Sequence, residues 1–428
     1  MVSLCVLFQV CALVSLRGVE KVLTIVKAFF PLPQAIPSYS SSRVWLLRVG
    51  YYKLTRKKEL ATDWVWIVDF TIQAGDVKCL TIVGLRLSYW EQQRQQRPDP
   101  GLCHQDVEPI ALVPVHQSNA DVVSQHLKEA VFQTGVPRQI VADEGSDVKA
   151  GIEKFIQKYP QTDYIYDVKH FTARILEGEF KTDSVWLEFT QWASQTRSEV
   201  HQTELAYLEP PNQRSKSRYM NMETLVAWGK KGLAFLDGLP AAVRPPSEKA
   251  AIQHQLDWLV PFRDDLTEWQ EIMGLVETTE TFVRREGFFR GCDQNLRSLL
   301  RLSPSATERT FRIRWALIEY VLDTSLKAKP EERLVGSSEG IESVFGKFKQ
   351  MQHEHEKGSL TGMVLAIPAM VAKTTQDVIL LAMETVSVQD VRAWMKKMFG
   401  KSARARRKEA FSSLVRPEQK QDQLLLSA

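Results

Sequence analysis

The hydrophobic rhythm of the chain changes twice. From Ser15 to Phe30 apolar residues recur at helical spacing, with Arg17, Lys21 and Lys27 off the apolar face. The Pro-rich stretch Pro31–Pro37 breaks this pattern, and Ser38–Leu54, opening on Ser, Tyr and Ser, predicts a second helix. After the basic linker Thr55–Leu60 the pattern becomes that of strands. Trp64–Asp69 (WVWIVD) is a continuous apolar run, as in a strand buried on both faces. Lys78–Leu87 and Glu108–Val115 read as the next two strands, with a polar loop over Tyr89–Gln105. Asn119 is placed to cap a helix that runs through Thr134 and stops at Gly135. Arg138–Asp143 (RQIVAD) predicts a fourth strand, Ser146–Tyr159 a helix and Tyr164–Val168 a fifth strand.

Strand, strand, strand, helix, strand, helix, strand is the order of a ribonuclease-H-like core, a mixed five-stranded sheet with helices on both faces. From Thr182 strand signals fade. Val185–Val200, Met222–Leu236, Glu248–Val276, Thr281–Leu302 and Glu308–Leu326 predict helices, punctuated by prolines. The α/β core is therefore expected to be interrupted by a large all-α insertion. The expected organisation is a small helical N-terminal domain over 1–58, helix-turn-helix-like and DNA-binding; a first part of the core over 59–181; the insertion over 182–333; C-terminal core helices over 334–400; and a basic, disordered tail over 401–428. Beyond Lys349 the sequence predicts a charged connector over Gln350–Lys357, a helix through Ala382 and another over Val388–Phe399.

Composition narrows the class. The chain has 428 residues, 44% hydrophobic and 25% charged, which suits two or three globular domains. A net charge of +4 means that any nucleic-acid surface is local rather than global. Cys5, Cys11, Cys79, Cys103 and Cys292 show no zinc-like pairing, and their scatter fits a reducing compartment. Met1–Leu16 is apolar but has no basic n-region or small-residue cleavage site. No apolar run is long enough for a membrane span, so no membrane partner is expected.

The chemistry is expected around LVGSSEGIESVFGKFK, Leu334–Lys349. Gly336, Ser337 and Ser338 read as a loop and N-cap. Ile341, Val344, Phe345 and Phe348 then form one apolar stripe, and Glu342, Gly346 and Lys349 line a second face. Two strand-like segments upstream each end in an aspartate, Asp69 and Asp143. Two strand-end aspartates and one helix-borne glutamate offer hard oxygen ligands for two Mg²⁺ ions (Mn²⁺ would also fit) about 4 Å apart, the arrangement that serves phosphoryl transfer. Asp147 competes with Asp143, and Glu339 with Glu342; both competitors sit near helix starts, where the dipole favours acids without function. Lys349 is a candidate phosphate contact. Asp167, Lys169 and His170 in YDVKH are candidate flanking groups. His353 and His355, two apart on a helix, point in different directions and make no metal pair.

With these residues in place the chain resembles a bacterial insertion-sequence DDE transposase, over about residues 60–180 and 334–350. DEGSD around Asp143 is similar to the D-x-x-x-D block at the second acid of cut-and-paste members, and Glu342 with Lys349 reproduces the E-x₆-K half of a Tyr-Arg-Glu-Lys signature. Val335 and Ser338 stand at that signature's Tyr and Arg positions. The helical insertion resembles the hobo–Activator arrangement. The resemblance implies catalytic and metal-binding acids at Asp69, Asp143 and Glu342, and DNA contacts by Lys349, Lys169 and His170. It further implies double-stranded DNA partners (terminal inverted repeats and target), a homodimer or larger assembly on DNA, and a cytoplasmic, nucleoid-associated location. Alternatives are a ribonuclease-H-like nuclease without strand transfer, and a DNA-binding protein derived from a transposase whose site has decayed. One tryptophan of the insertion, among Trp186, Trp192, Trp228, Trp258, Trp269 and Trp315, is a candidate for stacking on an unpaired base.

Overall fold

The five strands expected from the sequence form one sheet in the order β3-β2-β1-β4-β5. They are β1 (Trp64–Ala74), β2 (Val77–Arg86), β3 (Glu108–Val115), β4 (Gln139–Ala142) and β5 (Asp163–Tyr166). β1, β2 and β3 are antiparallel neighbours, and β4 joins β1 in parallel. This is the ribonuclease-H-like mixed sheet, and a large all-helical segment follows its last strand, before the helix Glu339–His353. The structure is a computed structural model and describes residues 1–30, 35–74, 77–97, 101–213, 219–242, 244–353, 363–400 and 403–412. It divides into two compact units, one of residues 1–92, 101–164 and 338–428, the other of residues 93–100 and 165–337.

Strand alternation assigns the two faces of the sheet in the first unit. Trp64, Trp66 and Val68 of β1 pack with Leu80, Ile82, Ile110 and Ile140 against Val123, Leu127, Ile152 and Phe155. The last four residues belong to α5 (Ala120–Thr134), capped as the sequence predicts by Asn119 and by Gly135 at φ +84°, and to α6 (Ser146–Lys158). Val65, Ile67 and Asp69 therefore lie on the opposite face, where α14 (Glu339–His353) crosses β1. The crossing is close at Gly340, where a Cβ would stand 3.0 Å from Val107 and 3.6 Å from Ile67.

α1 (Val2–Val10), α2 (Leu16–Phe29) and α3 (Tyr39–Thr55) lie in this same unit. α3 is a core helix, in contact with α1, α2, β3, α15 (Ala366–Met370) and α16 (Gln376–Thr385). That departs from the expected DNA reader. A recognition helix must show a side to the groove, whereas Ser42, Leu46, Leu47, Val49, Gly50, Lys53 and Leu54 are buried. Exposure in α3 is concentrated in its first turn, at Tyr39 and Ser40, and at its last residue, Thr55.

Lys53 holds α3 to the end of α15. Its Nζ donates to the carbonyls of Ala369 (3.1 Å), Val371 (2.6 Å) and Ala372 (3.1 Å) and to Thr374 Oγ1 (2.7 Å). Carbonyls at a helix C-terminus have no intrahelical partner, and this amine supplies one. Burial pushes the Lys53 pKa down to about 7. Between pH 7 and 10.5 the unfolded chain therefore binds more protons at this position, and stability rises with pH across that window. Lys53→Met should cost about 2 kcal/mol near pH 7, where the charge-assisted bonds are lost. The gap to the parent should widen toward pH 10. Urea unfolding at both pH values checks this.

The second unit is helical: α7 (Val168–Phe180), α8 (Ser184–Val200), α9 (Met222–Gly238), α10 (Pro246–Leu256), α11 (Arg263–Glu286), α12 (Cys292–Leu299) and α13 (Glu308–Ser325). Aromatic rings fill its core, with Trp186 and Trp269 edge to face at 4.9 Å and Phe189 against both. Trp228 and Trp258 are half-buried, donating to Leu208 O and Thr196 Oγ1. Trp192 and Trp315 are 38% and 57% exposed; Trp192 stacks on Trp258, and the Arg297 guanidinium lies over the Trp315 ring.

Several expected elements are corrected. The polar loop over 89–105 is helical at its start, α4 (Leu87–Gln96), because Trp90 is buried and Asp63 accepts from the Ser88 N–H and hydroxyl. The helix expected over 248–276 is α10, a 3₁₀ segment containing Pro261, and α11, since proline cannot donate within a helix. The helix expected over 281–302 is the end of α11 and then α12, parted by Gly287 at φ +67°. α14 continues through His353, into the expected connector; residues 354–362, with His355, lie outside the described residues. The helix expected through Ala382 is two, α15 and α16, followed by α17 (Val388–Phe399) as predicted. Within the tail, Ala403–Ser412 is helical, α18, and residues 401–402 and 413–428 lie outside the described residues. No helix of the described residues is long and apolar enough to cross a membrane.

Candidate active site

Parallel pairing of β1 with β4 runs from Val65↔Gln139 to Val68↔Ala142. The next residue on each strand is an acid, Asp69 on one and Asp143 on the other. Both follow a residue of the α5–α6 face, so both belong to the face that α14 covers. Asp143 ends its strand as predicted. Asp69 does not: β1 runs on to Ala74, paired with β2 across a register shift between Thr71 and Gln73. The sequence signal mistook the end of the β4 pairing for the end of the strand.

Glu342 reaches this region on α14. Ile341, Val344, Phe345 and Phe348 form the buried stripe expected of that helix, while Gly346 and Lys349 are exposed and Glu342 is half-buried. Ser338 begins the helix: its carbonyl accepts from the Glu342 N–H (3.2 Å), and its hydroxyl donates to Glu342 Oε1 (3.1 Å). His104 ties α14 down further along, with Nδ1 at 3.1 Å from Ser343 Oγ and Nε2 at 2.8 Å from Lys347 Nζ. Burial, then the Lys347 charge, hold the His104 pKa below its ordinary value, which keeps the imidazole neutral in this clamp.

Asp143, Glu342 and Lys349 all act electrostatically on Asp69. The Asp69 pKa is pushed up to about 7, first by burial and then by the negative charge of Asp143, with Glu342 adding to it. A hydrogen bond from the Phe70 N–H to Oδ1 (2.6 Å) and the charge of Lys349 act the other way. Asp143 Oδ1 accepts from the Gly145 N–H (3.1 Å), and the Tyr164 hydroxyl donates to the Asp143 carbonyl (2.9 Å). Asp69, whose ionisation two neighbouring carboxylates disfavour, lies where positive charge is short. Oxygen donors without Cys or His suit Mg²⁺ or Mn²⁺. Asp147 lies in the first turn of α6 and Glu339 begins α14, the helix-start positions expected for them.

The chain is similar to a Drosophila P element transposase strand transfer complex. Identity is 11%, the TM-score is 0.42, and the match covers 88% of this chain and 92% of that one. No family model matches the sequence, and no curated protein does.

Lys169 and His170 lie in the first turn of α7, in the second unit. Asp167 is the N-cap of that helix rather than the last residue of β5, and its Oδ1 accepts from the His170 N–H (2.9 Å). Within this unit Lys169 acts on Glu280, an acid whose pKa burial raises and a hydrogen bond from Thr172 lowers. One residue of the acidic face went unnoticed in the sequence. Thr81 of β2 stands directly across from Asp69, and its hydroxyl is buried without a hydrogen-bond partner. A threonine inside an apolar β-branched run carries no sequence signal, because it suits a strand as well as valine does.

Proposed function

We propose that the chain is a DDE-type transposase that cuts DNA strands at the ends of a mobile element and joins them to a target. The observation that supports this most is the placement of Asp69 and Asp143 side by side beyond the last β1–β4 pair, with Glu342 and Lys349 close enough to act on Asp69. Asp69, Asp143 and Glu342 would hold two divalent cations. When bound, such ions make a strong nucleophile of water or a 3′ hydroxyl and neutralise the leaving oxygen. The chain's own part is to fix three ligands on rigid elements. β1 and β4 set the spacing of two, and the Ser338 hydroxyl with the His104 clamp sets the third. Lys349, exposed two turns beyond Glu342, is placed to take a DNA phosphate, and Lys169 and His170 are further DNA contacts in this reading. Double-stranded DNA is the substrate, and a dimer or larger assembly on two element ends is the working form.

The test uses the full chain and a supercoiled plasmid carrying the DNA that flanks its gene. Mg²⁺-dependent nicking at the flanks and joined products are expected. Glu342→Gln and Asp143→Asn should each lower both by about 10³-fold or more, through loss of a metal charge. DNA binding should change little, since Lys and Arg contacts to phosphate dominate affinity. Cleavage that survives both substitutions rejects the site. Cleavage without joined products assigns a hydrolytic nuclease instead.

A further inference from the structure

Asp69 and Thr81 are in-register partners of the antiparallel β1–β2 pair. Opposed residues of such a pair share a face, with Cβ atoms about 4.5–5.5 Å apart. The Thr81 side chain thus stands beside the carboxylate. Its other neighbours within the sheet are apolar: Leu112 is its in-register partner on β3, and Cys79 and Val83 precede and follow it on that face of β2, both fully buried. Thr81 itself is 2% exposed, and its hydroxyl makes no hydrogen bond. A valine would fill the same space without burying an unpaired donor, so the hydroxyl is a liability in the metal-free state. The carboxylate opposite is the group that can satisfy it. Asp69 Oδ1 is engaged by the Phe70 N–H, and an ionised carboxylate keeps further acceptor positions. Rotation of Thr81 to another staggered χ1 exchanges its methyl and hydroxyl.

We propose that Thr81 is a positioning residue: its hydroxyl turns to donate to the Asp69 carboxylate, fixing the orientation in which Asp69 binds a divalent cation. This rests on the reading of Asp69 as a metal-binding acid. Groups that orient a metal ligand through a hydrogen bond typically change metal affinity 10–100-fold when removed. The cost of the idle hydroxyl falls on the metal-free protein, and the gain on the loaded one.

The experiment titrates Mg²⁺ against the full-length parent, Thr81→Val, Thr81→Ala and Thr81→Ser, reading the melting temperature and, separately, the Mg²⁺ midpoint of plasmid nicking. Thr81→Val should fold, melt no lower than the parent without Mg²⁺, and need roughly 10-fold more Mg²⁺ for half its thermal shift. Thr81→Ala should show the same rise in midpoint, and Thr81→Ser should restore the parent's value within about 2-fold, since it keeps the donor. A parent-like midpoint in Thr81→Val and Thr81→Ala overturns the proposal, and so does a Thr81→Ser variant as weak as Thr81→Val. If the parent itself shows no Mg²⁺ shift, and the amide variants of Asp143 and Glu342 cleave normally, the reading of the acids as a metal site fails and Thr81 falls with it. A responsive parent with an indifferent Thr81 removes Thr81 alone.

Discussion

Asp69→Asn should abolish Mg²⁺-dependent strand cleavage and, in the absence of divalent cations, stabilise the protein. Both effects have one cause. Burial, with Asp143 and Glu342 added, raises the Asp69 pKa from the ordinary 3.8 to about 7. The folded state thus holds a proton that the unfolded chain releases. The stability gained from that proton is complete below pH 3.8 and is lost as pH rises through about 7. At pH 8 the folded parent carries an ionised Asp69 at full cost. Asparagine matches the shape of the neutral acid and removes the cost, a gain of about 2–4 kcal/mol. The variant's stability should vary less between pH 4 and 8 than the parent's. Added Mg²⁺ should reverse the order, raising the melting temperature of the parent far more than that of Asp69→Asn, because a ligand stabilises only the state that binds it. Thermal melts at pH 5 and 8, with Mg²⁺ and with EDTA, measure all of this. A variant no more stable than the parent at pH 8 in EDTA removes the electrostatic account of the site.

Gly50→Ala should be the most damaging single methyl in the first unit. A Cβ on Gly50 would lie 1.8 Å from the carbonyl oxygen of Leu365 and 2.8 Å from its carbon. Those are backbone atoms at the start of α15 and cannot swing aside. α3 and α15 must therefore part, which opens the Lys53 contacts to Ala369 and Val371 in the same movement. A loss of about 3 kcal/mol or more is expected, above the usual range for overpacking. Two helical glycines serve as controls. Gly178 in α7 and Gly274 in α11 have no atom within 4 Å of a built Cβ. Alanine at either should stabilise by about 0.5–1 kcal/mol through helix propensity. Denaturant unfolding of the three variants side by side checks the contrast, and a Gly50→Ala protein with the parent's midpoint would refute the packing described here.

What could be read from the sequence follows how local each signal is. β3 and α5 carry their own punctuation, and Asn119 and Gly135 cap α5 as expected. Asp143 follows a four-residue strand with a turn behind it, so its position was plain. Asp69 was expected at a strand end, yet β1 runs on to Ala74; its place next to Asp143 comes from where β4 stops pairing, and pairing is not a local property. α3 misled in another way. Ser42 and Lys53, polar residues of a helix expected to read DNA, are both fully buried, and Lys53 finds its partners more than 300 residues along the chain. Thr81 was silent because its significance depends on register, which nothing within one strand encodes.

The closeness of α14 to β1 also has a meaning during synthesis. Roughly 200 residues separate Asp143 from Glu342, and translation at about 5–20 residues per second covers that length in about 10–40 s. For that interval the emerging polypeptide shows ribosomes and neighbouring nucleic acids two acids and not the third. Prematurely terminated products that end within the helical segment share this incompleteness. If the proposed reading holds, the order of translation alone keeps the site incomplete until Glu342 has been added.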